Sequence, residues 1–146
     1  MAHLVKGFNI LYGEFIDKLF SILPNTTKLR TYNNLRIVLQ KANNRAPMNA
    51  YMKSVHPFSK QIFNEDTNYF LNNDKFMNKD IVVENFISSS GLMEYWKSLD
   101  DQSKNAIWLY LQSLLKIGYK VYNIEWNETI LKIPFFDIIN DKKSIC

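Results

Sequence analysis

Pro24, Pro47, Pro57 and Pro134 divide the chain into stretches whose apolar residues recur every three or four positions. Helical spacing cut by helix breakers constrains the fold more than any other feature of the sequence. The first stretch runs from about Phe8 to Leu23, where Ile10, Leu11, Phe15, Leu19, Ile22 and Leu23 share a face until Pro24 stops the helix. Asn25 or Thr26 can then cap a second helix, with Leu29, Tyr32, Leu35, Val38, Leu39 and Ala42 as its apolar stripe and its end near Asn43-Asn44. Pro47 suits the first turn of a third helix, whose inward residues are expected to be Met48, Tyr51, Met52 and Val55. Pro57 forces a break before Phe58, Ile62 and Phe63 resume the pattern, so two short helices are expected there.

Asn64 to Asp74 is polar but carries Tyr69, Phe70 and Leu71, and reads as an irregular turn pinned to the core. A fourth helix is expected over Lys79 to Ile87, then a Ser88-Ser89-Ser90-Gly91 loop that can cap the segment Leu92 to Lys97. Ser98-Leu99-Asp100-Asp101 opens the longest helix, with Ser98 as its expected cap and the two aspartates where the helix dipole favours negative charge. Ile107, Tyr110, Leu111, Leu114, Leu115, Gly118, Val121 and Tyr122 form its stripe, which Trp108 and Leu109 widen. In the remaining arm Thr129 to Ile133 alternates like a strand, Pro134 interrupts, and Phe135 to Ile139 is apolar. The arm is expected to be extended or a short helix, with Asn140 to Cys146 frayed.

With four glycines and four prolines in 146 residues, a turn-rich β-sandwich has too few turn formers, and the expected class is all-α. The architecture is a compact bundle of about six helices with an irregular or short-strand C-terminal arm over 124–146. A chain of this length, 47% hydrophobic, can bury about 68–70% of its unfolded surface, so residues 1–146 read as a single domain. Cys146 is the one cysteine, which excludes an intrachain disulfide and points to a reducing compartment. No apolar run approaches the roughly 20 residues that span a bilayer, and no signal-peptide core is present. A soluble, non-secreted protein with no membrane partner is expected.

The net charge of +4 hides an asymmetry. Residues 1–63 hold nine Lys or Arg against two acids, net +7, and residues 64–146 hold nine against twelve, net −3. Lys18 to Asn64 has no acid at all, so an anionic partner is one expectation for the basic half. Its candidates for phosphate contact are Lys28, Arg30, Arg36, Lys41 and Arg45, although at 100° per residue they spread around the second helix instead of forming one line.

Little else suggests chemistry. His3 and His56 are far apart and lack acids or cysteines at ligand spacing, so neither a metal site nor a cofactor is expected, and His56 reads as a helix-end or surface histidine. Glu65-Asp66 and Asp100-Asp101 diverge on a helix and read as capping or turn residues. Trp96, Trp108 and Trp126 read as core or half-buried aromatics. No phosphate loop, nucleophile elbow or zinc pattern is present, and no catalytic residue is assigned.

Tyr69-Phe70-Leu71-Asn72, then Met93-Glu94-Tyr95-Trp96-Lys97-Ser98-Leu99, then Lys104-Asn105-Ala106-Ile107-Trp108-Leu109-Tyr110-Leu111 form a succession, part of a likeness that covers residues 8–122. It resembles small all-helical proteins of unknown function from nucleocytoplasmic large DNA viruses. The resemblance implies a viral origin and a helical fold, and brings no activity or catalytic residues. A bias to Lys, Asn and Ile, expected of an A/T-rich coding genome, agrees with it. The first expectation is therefore a non-enzymatic viral accessory or virion-associated protein, in the host cytoplasm or virion, that binds another protein or itself. The alternatives are a nucleic-acid-binding packaging or replication accessory and, third, a helical antagonist of host signalling or cell death.

Overall fold

The computed structural model describes residues 2–24, 26–72 and 92–145, which are all-helical and contain no strand. Helix α1 spans Ala2–Ile22, α2 Thr27–Ala42 and α3 Ala46–Val55. The short α4 (Ser59–Phe63) and α5 (Thr67–Leu71) follow, then the long α6 (Asp101–Val121) and α7 (Phe135–Ile145). The expected helix over Lys79 to Ile87, its Ser88–Gly91 loop, Asn25 and Cys146 lie outside the described residues. None of the described helices is long and apolar enough to cross a membrane.

The core is the seam between α1 and α6, crossed by α3. From α1 it takes Phe8, Tyr12, Phe15, Ile16 and Leu19, and from α6 Ile107, Trp108, Leu111, Leu114 and Leu115. Phe15 stacks on Tyr110 with ring centroids 5.0 Å apart and an interplanar angle of 12°. Each such large side chain removed from water contributes about 1.5–3 kcal/mol. α1 starts earlier than expected because Val5 continues the same buried face toward the N-terminus. Ile10, expected inward, is 55% exposed, since Phe8 and Tyr12 turn the buried stripe away from it.

Thr26 caps α2, its hydroxyl accepting from the Leu29 amide at 3.3 Å, and Asn43 ends the helix as expected. The stripe of α2 packs thinly: Leu29 is buried, but Val38 is 62% exposed and Ala42 also faces solvent, so both correct the expectation. In α3, Pro47 stands in the first turn and Met48, Tyr51, Met52 and Val55 are all buried. A 3-10 turn at His56–Phe58 carries the break that Pro57 imposes before α4.

Asn64 to Leu71 is more regular than expected. Asp66 caps α5 through the Tyr69 amide at 3.2 Å, and Phe70 is buried. Leu92–Glu94 and Trp96–Ser98 form two 3-10 turns. The cap of α6 is Asp100, not Ser98: its carboxylate accepts from the Ser103 amide at 2.7 Å, and that bond holds its pKa below the ordinary carboxylate value. The Ser98 hydroxyl instead donates to the Tyr95 carbonyl at 2.7 Å. Leu109 is 64% exposed, so the apolar stripe of α6 widens through Trp108 alone.

The expected strand over Thr129 to Ile133 is a 3-10 helix, Glu128–Lys132, and after Pro134 the chain is helical to Ile145 where fraying was expected. Alternation in so short a segment has no neighbouring strand to pair with among the described residues, while Asn127 caps the turn through the Thr129 amide at 2.9 Å.

Two helices end in the Schellman arrangement, which needs a left-handed residue just past the helix. After α6 that residue is Asn123, φ 53°, with Ile124 N–H on the Tyr119 carbonyl at 2.9 Å and Asn123 N–H on the Lys120 carbonyl at 3.1 Å. After α4 it is Glu65, φ 52°, with Asp66 N–H on the Gln61 carbonyl at 2.9 Å. A glutamate there carries a steric penalty that glycine does not. Glu65→Gly is therefore expected to raise stability by about 0.5–1 kcal/mol, read as a higher urea midpoint. An unchanged or lower midpoint would mean that the 3.3 Å bond from Gln112 to the Glu65 carboxylate outweighs the strain.

Candidate functional site

α1 and α2 run antiparallel but do not pack closely; α2 leans on α3 instead. What spans the gap is polar. The Asn9 side-chain N–H donates to the Asn44 carbonyl at 2.9 Å, the Tyr12 and Tyr32 hydroxyls bond to each other, and the Arg36 guanidinium lies over Gly13. Gly13 is where the arginine comes down: a Cβ built there would sit 3.9 Å from Arg36 Nη1. Above these bridges opens a groove of about 1060 Å³.

One wall is a stripe of α1 that runs from Lys6 through Asn9, Ile10 and Gly13 to Glu14 and Asp17. The other comprises Arg36 and Gln40 of α2 and the turn Asn43–Arg45. Because the helices are antiparallel, Lys6 shares one end with Arg45, while Arg36, over Gly13, stands beside Glu14 toward the end that Asp17 marks. Three cations and two carboxylates give the groove a net charge of +1. Among the described residues, no ion pair joins Lys6, Arg36 or Arg45 to Glu14 or Asp17. Arg36 is instead fixed by the Asn33 side-chain oxygen, which accepts from its Nε at 3.2 Å and its Nη2 at 2.9 Å. Arg45 leans on the Tyr122 ring, 5.8 Å from its centroid.

Beneath the groove the packing is aromatic. Phe8, Tyr12 and Tyr51 meet edge to face at 5.5–5.7 Å, and the Tyr51 hydroxyl donates to the Leu111 carbonyl of α6 at 2.9 Å. Burial pushes the Tyr12, Tyr32 and Tyr51 hydroxyls well above the ordinary tyrosine pKa, so all three are neutral phenols near neutral pH. Asn9 is 9% exposed and its Oδ1 has no hydrogen-bond partner among the described residues.

The five basic residues picked out in the sequence do not converge. Lys28 is bound to Glu94, Nζ to Oε1 at 2.5 Å, with both side chains largely covered. Arg30 and Lys41 lie about 20° apart on the outward face of α2, with Asn34 and Ile37 exposed between them. Only Arg36 and Arg45 reach the groove. Lys6, Asn9, Glu14 and Asp17 were missed, although the helical spacing of Lys6, Glu14 and Asp17 on α1, away from its apolar stripe, was the available signal.

His56 is the second departure: expected at a helix end or surface, it stands at the C-cap of α3 but is fully buried. Its ring bonds the Ile130 carbonyl at 2.9 Å and the Ile133 carbonyl at 3.0 Å through Nε2. Carbonyls only accept, so Nε2 carries the proton and Nδ1 accepts from the Tyr119 hydroxyl at 2.6 Å. The chain continues outward, since the Ser59 hydroxyl bonds the Tyr119 oxygen and Trp126 Nε1 donates to Ser59 Oγ at 2.9 Å. Burial pushes Tyr119 up to about 12 and lowers His56, a trend that the two carbonyl bonds oppose. With both ring nitrogens engaged and no solvent access, His56 is a fastener between α3 and the C-terminal arm rather than a base for an outside substrate.

Asp66 and Asp100 serve as helix caps, in line with the capping reading of the two acid pairs. Trp96 and Trp108 are buried and Trp126 is half-buried. Among the described residues no three His, Cys, Asp or Glu gather where they could share a metal ion. No known protein family, curated protein or solved structure matches the chain.

Proposed function

We propose that this chain is a non-enzymatic viral accessory or virion-associated protein that acts, in the host cytoplasm or the virion, by binding another protein at the α1–α2 groove. The viral part rests on the resemblance of residues 8–122. The binding part rests on one observation: the groove holds charges of both signs that do not pair with one another. Unpaired opposite charges fixed on neighbouring helices suit a partner that carries both signs, as a protein surface does. The third expectation, an antagonist that seats a partner helix, calls for an apolar groove, and this one is lined mainly by charged and amide side chains.

The nucleic-acid reading keeps one favourable feature, the outward pair Arg30 and Lys41 on α2. Against it stand Glu14 and Asp17 beside Arg36, which would repel a phosphate backbone, and Glu94, which occupies Lys28. Fluorescent single- and double-stranded DNA and RNA, titrated at two salt concentrations, are expected to show no micromolar binding. Micromolar binding that weakens steeply with salt and is abolished by Arg30→Gln with Lys41→Gln would replace the protein-binding reading with the nucleic-acid one.

A further inference from the structure

We infer that the α1–α2 groove receives an extended polypeptide segment laid along α1, with an acidic side chain at the Lys6–Arg45 end and a basic side chain at the Glu14–Asp17 end. This deepens the protein-binding reading and rests on it. The net charge changes sign along the groove: Lys6 and Arg45 close one end, and at the other Glu14 and Asp17 outweigh Arg36, which lies over Gly13 beside them. A polyanion laid along it gains at the first end and loses at the second. A segment with one charge of each sign gains at both, but in one direction only.

The middle of the groove fits a peptide backbone. Gln40 and Asn44 line it, and their side-chain amides offer donors and acceptors together, as a backbone in extended conformation requires. Ile10, 55% exposed at mid-length, gives an apolar side chain a place to rest. The length is set by α1 itself. Lys6 and Asp17 are separated by about 16 Å along the helix axis. An extended chain covers that distance in about five residues at roughly 3.3 Å each. The segment should therefore carry its acidic and basic side chains about five positions apart. Charge order here selects the partner and its direction more than it sets affinity.

The test pans a display library of random dodecamer peptides against the full chain and measures the best binder as a synthetic fluorescent peptide. Enriched peptides are expected to share an acidic and a basic residue about five positions apart in a constant order. The quadruple variant Lys6→Glu, Arg45→Glu, Glu14→Lys and Asp17→Lys exchanges the charges of the two ends without altering net charge. It is expected to bind the selected peptide at least tenfold more weakly and to prefer a peptide whose two charges are exchanged. Because all four residues are exposed, the variant should melt like the wild type, and the exchanged peptide reports on it even if it does not. Enriched peptides with no charge order, bound equally by the variant, would overturn the inference and leave the protein-binding reading standing. No enrichment at all would overturn both.

Discussion

Gly118→Ala is expected to destabilise the protein by about 1–3 kcal/mol, although alanine is the better helix former by about 1 kcal/mol. Gly118 lies in α6 where α3 crosses it, and a methyl group added there would meet Met52 Cγ at 2.7 Å and Cε at 2.8 Å, with Sδ nearer still. Methionine is flexible, but Met52 is fully buried, so it has no free space to swing into. Urea unfolding of the single and double variants tests the cause. Met52→Ala alone should cost about 2–5 kcal/mol through the cavity it leaves. Gly118→Ala added to it should cost nothing further, because the new methyl enters the vacated space. A single variant as stable as the wild type, or strictly additive losses, would show that α3 and α6 do not touch at this point.

His56→Ala is expected to cost about 2–4 kcal/mol and to loosen one part of the molecule first. It removes the ring's bonds to the Ile130 and Ile133 carbonyls and leaves the proton of the Tyr119 hydroxyl without its acceptor. The arm should then open ahead of the core: hydrogen exchange over 128–139 should rise while the α1–α6 seam stays protected. Uniform loss of protection across the chain would contradict a local fastener. The same contacts set a pH dependence. Burial lowers the pKa of His56 in the folded state below its ordinary value near 6.5, so the unfolded chain binds the proton more readily. The stability that His56 contributes is therefore fully present above about pH 6.5 and is lost as pH falls through the lowered pKa. Urea midpoints between pH 7.5 and 5 should fall more steeply for the wild type than for His56→Gln. Parallel curves would exclude His56 as the source.

Much of the fold was legible because its signals are local. Pro24, Pro47 and Pro57 end or start helices through their own ring geometry, wherever the rest of the chain lies. Met48, Tyr51, Met52 and Val55 were assigned inward and are buried, since a short amphipathic helix has one apolar face to hide. The failures are contacts between distant residues. Thr129 to Ile133 alternates like a strand, but strand formation needs a partner edge, and none is present among the described residues. Ile10, Val38 and Leu109 suit an apolar stripe as well as their neighbours do, and only the position of the adjoining helix decides which side of a stripe is covered. His56, next to a proline in the sequence, gave no sign of its bonds because Ile130 and Ile133 lie more than seventy positions away.

The charge pattern divides in the same way. Sequence by itself determined that residues 1–63 carry net +7 and that α2 is basic on several sides, since charge and helical spacing are properties of the chain alone. Only the tertiary structure decided what those charges face: Glu94 reaches Lys28 across 66 positions, and the antiparallel return of α2 sets Arg36 and Arg45 opposite Lys6, Glu14 and Asp17. The physical reason is range. Helix spacing and capping act within about one turn, whereas a groove is the distance at which two helices come to rest, and that distance is set by the side chains that meet between them. Here those are Tyr12 against Tyr32, Asn9 against Asn44 and Arg36 above Gly13, three pairings that none of the six residues announces by itself.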